Sequence, residues 1–442
     1  MAVTKEAGLY PHLPKLRLDA LRAAPLDPLT KGLPFGSDGL TLGAIGARGW
    51  SLTAGDLPMP MAVIRRDVME RNSAWMAAFA AANGLLLAPH GKTTMAPQLY
   101  DVQARDGAWA ITVATMQQLE VARRFGVRRI LLANQPVGRV EVAALMEALH
   151  DGGGLEIYCL ADSAEGVAVL AEAASRRPPP PSHPLRVLVE IGFPGGRAGA
   201  RGRAAALDVA RAVAASPGLA LAGFECFEGL LPDAASADGL LDEVVAAAGE
   251  AASRGWLAAD APLILSAGGS AFFDRVGERF GATLTGRPVR RVLRSGCYLT
   301  HDSLAYGVAF QRIRERTRLT LPPGGLEPSL EVWAYVQSRP ETGRTILTMG
   351  KRDVSFDSAL PVPLRWFRPG EMDRPAPMPP GHATLALNDQ HCHLGTPGES
   401  PLRYGDMVGF GIGHPCTTFD KWDLLMLVDE SYRVVDAVRT FF

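Results

Sequence analysis

The chain has 442 residues, 47% of them hydrophobic and 21% charged, with a formal net charge of −1. That is enough chain for a large core in an ordinary globular balance, and without a basic block neither nucleic acid nor an anionic membrane is an expected partner. No stretch approaches roughly 18 uninterrupted apolar residues, the first residues lack the apolar core of a secretory signal, and five scattered cysteines form no disulfide framework; the expected location is cytoplasmic.

Residues 1–57 are rich in Pro and Gly and are expected to pack against a C-terminal domain. From Met61 to Ser295, short β-rich runs alternate with Ala-rich stretches of helical spacing. Eight such runs follow the first helix, at 85–90, 110–115, 129–134, 156–162, 186–193, 221–229, 263–268 and 290–296. Helical stretches between them include 116–125, 139–150, 163–175, 204–215 and 239–255. Eight strand–helix units predict a (β/α)8 barrel; a doubly wound sheet is the competitor, but it does not normally offer eight equal units. The proline tract at 176–182 reads as a stiff surface connection inside the barrel. After about Gln311 helical stretches give way to alternating runs at 317–321, 330–338, 345–349, 382–387, 407–411 and 431–440, separated by Pro/Gly turns. The predicted organisation is α/β plus all-β: an N-terminal segment 1–57, a barrel 58–310 and a β-domain 311–442.

Barrel chemistry sits on the loops after the strand C-termini, with phosphate sites after the last two strands. The first run ends Pro89-His90-Gly91-Lys92-Thr93-Thr94. A lysine held there beside a histidine is suited to condensing with an aldehyde, since desolvation and a neighbouring cation free its amine. The seventh run ends in Gly268-Gly269-Ser270 and the eighth in Gly296-Cys297-Tyr298, backbones open to an anion. Together these features describe a phosphorylated aldehyde cofactor such as pyridoxal 5'-phosphate. In the β-domain, His414-Pro415-Cys416 sets an imidazole and a thiol two residues apart, able to share one cation if the chain is extended. His391 is a further candidate ligand. The alternative roles are a strand hydrogen bond for His90, solvation for His391 and His393, an ordinary surface position for Arg197, and packing for Cys297 and Cys392.

In this order the motifs resemble the D-threonine aldolase / D-serine dehydratase-like family over roughly residues 60 to 430. Pro89-His90-Gly91-Lys92-Thr93 is similar to its Pro-His-x-Lys-Thr segment, Asn134-Gln135 to its Asn-Gln pair, and Glu190 with Arg197-Ala198-Gly199 to its Glu…Arg-x-Gly segment. Phe227-Glu228-Gly229 stands for Tyr-Glu-Gly, Gly268-Gly269-Ser270 for Gly-Gly-Thr, Gly296-Cys297-Tyr298 for Gly-x-Tyr, and Gly405-Asp406 with His414-Pro415-Cys416 for Gly-Asp…His-x-Cys. The resemblance implies a fold-type III, alanine-racemase-like barrel with a metal-binding β-domain, assembled as a homodimer. It implies Lys92 and His90 as catalytic residues. Cofactor contacts would come from Lys92, Gln135, Arg197, Phe227, Gly268, Gly269, Ser270, Gly296, Cys297 and Tyr298. His414 and Cys416 would hold a divalent metal, Zn2+ ahead of Mn2+ or Mg2+. The chain departs from the pattern at Ala88, Thr94-Met95, Gly192, Pro194, Phe227 and Gln390-His391-Cys392, which puts the substrate, more than the cofactor, in doubt.

The expected function is a lyase that eliminates water from a D-3-hydroxy amino acid, D-serine or a bulkier one, giving a 2-oxo acid and ammonia. Retro-aldol cleavage to glycine and an aldehyde is the alternative, and Cys416 in place of a carboxylate favours elimination. A racemase is disfavoured by Phe227 where a second, tyrosine base is wanted. A non-catalytic cofactor carrier is disfavoured by the β-domain.

Overall fold

The computed structural model describes residues 12–150, 154–258 and 262–442. Eight parallel strands run in chain order as Leu86–Leu87, Ile111–Val113, Arg129–Leu132, Glu156–Ala161, Leu185–Gly192, Leu219–Cys226, Leu263–Ala267 and Arg287–Leu293. The sheet closes on itself. Leu86–Leu87 pairs with Val292–Leu293 on one side, and on the other His90 bridges Thr112 while Trp109 N–H donates to Leu87 O at 2.7 Å. A helix follows each strand, from Pro97–Arg105 after the first to Ala305–Arg316 after the eighth. The fold is therefore the (β/α)8 barrel expected.

Alternation along the strands sorts side chains between two cores. In Glu156–Ala161, Tyr158 and Leu160 point into the barrel with Trp109, Leu131, Leu188 and Ile264, while Ile157, Cys159 and Ala161 meet the helices. Both faces are thus apolar, which is why these runs read as continuous. Three helices start on side-chain caps: Thr115 accepts from Gln118 N–H, Ser163 from Gly166 N–H and Asp233 from Ser236 N–H.

The second sheet runs Ala376–Pro377, Val362–Phe367, Met407–Gly411, Leu330–Glu341, Met61–Arg65, Leu424–Val428, Val434–Arg439, with a branch through Arg344–Leu347, Cys392–Gly395 and Ala383–Leu387. Met61–Arg65, inside the stretch read as barrel, is a central strand here, antiparallel to Leu330–Glu341 and parallel to Leu424–Val428. The preceding segment touches both bodies: Arg22 pairs with Asp436 at 3.0 Å and Ser51 bridges Arg433, while Leu13 N–H reaches Ala108 O at 2.9 Å.

Two readings need correction. The run 317–321 is no strand, because side chains take its backbone donors: Glu278 accepts from Arg318 N–H at 2.8 Å and Asn83 from Thr320 N–H at 3.0 Å. Nor does helix stop at Gln311; Ala305–Arg316 continues because Arg316 clamps buried Asp274 at 2.7 Å. Among the described residues no helix is long and apolar enough to cross a membrane.

Trp109 is fully buried inside the barrel, 5.6 Å from the Tyr158 ring and with Arg129 4.9 Å from its own ring. Trp109→Ala is expected to cost about 3–5 kcal/mol of stability, read by denaturant unfolding. A loss below about 1 kcal/mol would mean the barrel interior collapses around the gap.

Candidate active site

The first barrel strand ends at Leu87, and after the bridge residue His90 the chain turns through the short 3-10 segment Gly91–Thr93. Tyr100 O–H donates to Gly91 O at 2.8 Å, and a Cβ on Gly91 would lie 2.9 Å from the Ile111 side chain, so only glycine fits the turn. Just beyond it Met95 holds φ at 42°, a left-handed conformation uncommon for a side-chain-bearing residue, and its sulfur accepts from Tyr100 at 3.3 Å. Lys92 is presented half-buried between these constraints. Burial lowers its pKa and Arg197 lowers it further, against the opposing pull of Cys416 and Cys297. His90 beside it is held well below 6.5 by burial and by the positive charges of Lys92, Arg294 and Arg197, and its buried Nδ1 has no hydrogen-bond partner among the described residues. A neutral imidazole with an unused nitrogen and a lysine of lowered pKa suit a polar, aldehyde-bearing group.

The loops after strands seven and eight close over the same end. Gly268 has φ +106°, and a Cβ on Gly296 would sit 2.5 Å from His90 O, so glycine lets the eighth loop press against the first. The N–H groups of Gly268 and Gly269 donate to buried Glu228 at 3.1 and 2.7 Å, and Ser295 O–H donates to Gly268 O at 2.9 Å. These two donors therefore already hold a carboxylate, and the hydroxyl of Ser270 and the backbone of the Gly296 turn are what the loops offer a phosphate. Gln135 donates to Glu190 at 2.5 Å, and Arg197, exposed, stacks 4.5 Å over the Phe227 ring. Tyr298 is buried with its hydroxyl beside Gln103 and Ser73 on the barrel helices.

His414 and Cys416 reach this mouth from the β-domain. The expectation of an extended chain is corrected: Pro415 has helical dihedrals and starts the single turn Cys416–Phe419, and that turn brings the two side chains together. Cys416 Sγ lies 3.4 Å from Thr93 Oγ1 and 3.6 Å from Cys297 Sγ. Hydrogen bonds from Cys297, His414 and Thr93 depress the Cys416 pKa against burial, while contact with Cys416 and Asp357 raises His414 to about 9. Asp357 takes His414 Nδ1 at 2.5 Å and accepts from Thr417 O–H at 2.7 Å. A carboxylate on Nδ1 leaves Nε2 for a cation, the usual support of a ligating histidine. A nitrogen and a sulfur donor fit zinc better than magnesium or manganese. Among the described residues no group of three His, Cys, Asp or Glu side chains stands ready to hold a metal. His391 is exposed beside the Ala383–Leu387 and Cys392–Gly395 hairpin, and no hydrogen bond or ion pair among the described residues joins its side chain to His414 or Cys416. His393 bonds Asn388 at 2.6 Å.

Sequence reasoning missed Asp357 and Tyr306, and gave Glu228 no role beyond its place in the Phe227-Glu228-Gly229 motif. Asp357 lies 57 positions from His414 in a loop with no local signature. Tyr306 sits by Cys297 because Asp302 Oδ1 accepts from Leu304 and Tyr306 N–H at 3.0 and 2.8 Å; an Asp just ahead of a helix was a readable start signal.

Two outcomes are expected. Reconstitution with pyridoxal phosphate should quicken as pH rises and level off below 10.5, because the free amine reacts and the Lys92 pKa is lowered. Arg197→Gln should move that plateau upward, and an unmoved plateau would remove Arg197 from the site's field. Asp357→Ala should weaken zinc binding about 10–100-fold in competition with a chromophoric chelator; unaltered affinity would deny Asp357 any support role.

Comparison with known proteins agrees with this geometry. Residues 329–428 match the family described as "Putative serine dehydratase domain". A 3-hydroxy-D-aspartate aldolase from Paracoccus denitrificans (strain Pd 1222) is 24% identical over 310 residues, 69% of this chain and 75% of that protein. The crystal structure of D-threonine aldolase from Filomicrobium marinum matches with a TM-score of 0.71 at 23% identity, covering 89% of this chain and 97% of that one. D-threo-3-hydroxyaspartate dehydratase from Delftia sp. HT23 matches with a TM-score of 0.67 at 20% identity, covering 88% and 99%. Barrel, β-domain and motif order thus agree with the sequence resemblance: the chain has the fold of these aldolase and dehydratase structures and of alanine racemase, and its residues 329–428 are similar to the serine dehydratase domain.

Proposed function

We propose that this chain is a lyase dependent on pyridoxal phosphate and a divalent metal, which removes water from D-3-hydroxy amino acids to give a 2-oxo acid and ammonia. One observation carries the reading: the Lys92 turn and the His414/Cys416 pair meet at one mouth, Thr93 touching Cys416 at 3.4 Å. Bound pyridoxal phosphate supplies a sink for the electron pair left when Cα loses its proton. Lys92 Nζ would anchor the cofactor, and its lowered pKa suits the free amine to accept the Cα proton as a base. His90 stays uncharged beside it, so the pair does not repel. Ser270 and the Gly296–Tyr298 turn hold the phosphate, with the seventh loop stiffened by Glu228. Gln135 and Arg197 flank the cofactor with the Phe227 ring. His414 and Cys416 would hold a zinc-type cation, which would supply Lewis acidity toward a substrate hydroxyl. Phe227 offers no hydroxyl, which removes one candidate base for racemisation. A cytoplasmic homodimer belongs to the same reading.

Retro-aldol cleavage is the second reading, favoured by the relatives named 3-hydroxy-D-aspartate aldolase and D-threonine aldolase. Purified protein loaded with pyridoxal phosphate and zinc should convert D-serine, D-threonine or D-threo-3-hydroxyaspartate to a 2-oxo acid and ammonia. Lys92→Ala should lose at least about a thousandfold in rate together with the absorbance of the bound cofactor. Glycine and an aldehyde as products would replace the first reading by the second; neither product from a cofactor-loaded protein would sink both.

A further inference from the structure

Resting on the metal reading above, we propose that Cys297 is a third protein ligand of the cation held by His414 and Cys416, making a two-cysteine, one-histidine set with one position open. The two sulfurs are 3.6 Å apart. Two thiolates on one tetrahedral zinc, each at about 2.3 Å, stand about 3.8 Å from one another, so the observed gap is close to that of a shared ion. A disulfide would need about 2.05 Å.

The surroundings of Cys297 separate it from the packing cysteines. Cys159, Cys226 and Cys392 lie within the main apolar core, whereas Cys297 belongs to neither apolar cluster. It is buried, but against polar groups: Thr93 Oγ1 at 3.8 Å, the Cys416 thiol and the Tyr306 hydroxyl. The two cysteines also come from different bodies, Cys297 from the turn after the eighth barrel strand and Cys416 from the β-domain. A cation between them would tie the barrel mouth to that domain.

Donor number gives the second argument. Catalytic zinc commonly has three protein ligands and one open position, and two cysteines with one histidine is an established set. His414 and Cys416 alone fall one short. With Nδ1 held by Asp357, the imidazole has Nε2 to offer, although among the described residues the three donors do not yet stand as a ready metal group. The open position is then the one left for a substrate oxygen.

The test uses full-length, cofactor-loaded protein kept reduced with a phosphine. Cobalt titrated into the parent should give a sulfur-to-metal absorption band of two-thiolate intensity. Cys297→Ser and Cys416→Ser should each show roughly half that intensity, and zinc affinity in Cys297→Ser should fall more than about tenfold. A Cys297→Ser protein with parental spectrum and zinc affinity, beside a Cys416→Ser protein that loses both, would overturn the inference and leave the metal at His414 and Cys416 standing. Cobalt binding unaffected by either change would instead refute the metal reading itself. Should the variants fold poorly, alkylation of the parent with and without zinc replaces them, followed by peptide mass spectrometry. Shielding of both Cys297 and Cys416 supports the set. Shielding of Cys416 alone, or a native Cys297–Cys416 disulfide in the unreduced protein, overturns it.

Discussion

The Gly91–Thr93 turn against the one-turn helix Cys416–Phe419 is the contact from which the mouth of this molecule is built. It joins two sheets that share no ladder, at a point where Thr93, Cys297 and Cys416 lie within 3.4 to 3.8 Å of one another. The strand Met61–Arg65 links the two bodies. It is paired in the second sheet on both sides, antiparallel to one neighbour and parallel to the other, and Arg66–Ala82, the helix that leads into the barrel, begins directly after it. An amine from one body and an imidazole–thiol pair from the other are thereby held in register without a flexible linker.

Charge at the mouth is handled by pairing. Burial holds the Glu225 pKa up at about 8 even against its direct ion pair with Arg294, which also donates to Cys226 O at 2.7 Å. Glu228 is buried too, but two backbone N–H groups hold it, the cheaper way to keep a carboxylate out of water. Above this layer the positive field of Arg197 and Arg294 reaches Lys92 and His90. An anionic tail is attracted to such a field, and a neutral amine is favoured within it. In the proposed function, anion binding and nucleophile activation would therefore draw on the same arginines.

Much of the architecture was legible because local pattern and tertiary role coincided. Two-sided burial of each barrel strand produced short apolar runs. Pattern failed where a side chain from elsewhere decided the outcome. Thr317–Leu321 alternates like a strand, yet Glu278 and Asn83 take its donors. Leu424–Val428 is uniformly apolar and Val362–Phe367 carries a proline, so neither offered the alternation of a half-exposed strand.

By itself, the sequence determined the barrel, the lysine turn and the glycine loops, and it named an imidazole and a thiol as partners. Each of these is a property of a few neighbouring residues: periodicity, a proline stop, a position only glycine tolerates. Tertiary structure alone decided that Glu228 would fill the Gly268–Gly269 nest, that Asp357 would orient His414, and that Cys297 would stand beside Cys416. Those contacts join residues 40 to 119 positions apart. No local preference encodes such a distance; it is set by how two packed bodies close on each other.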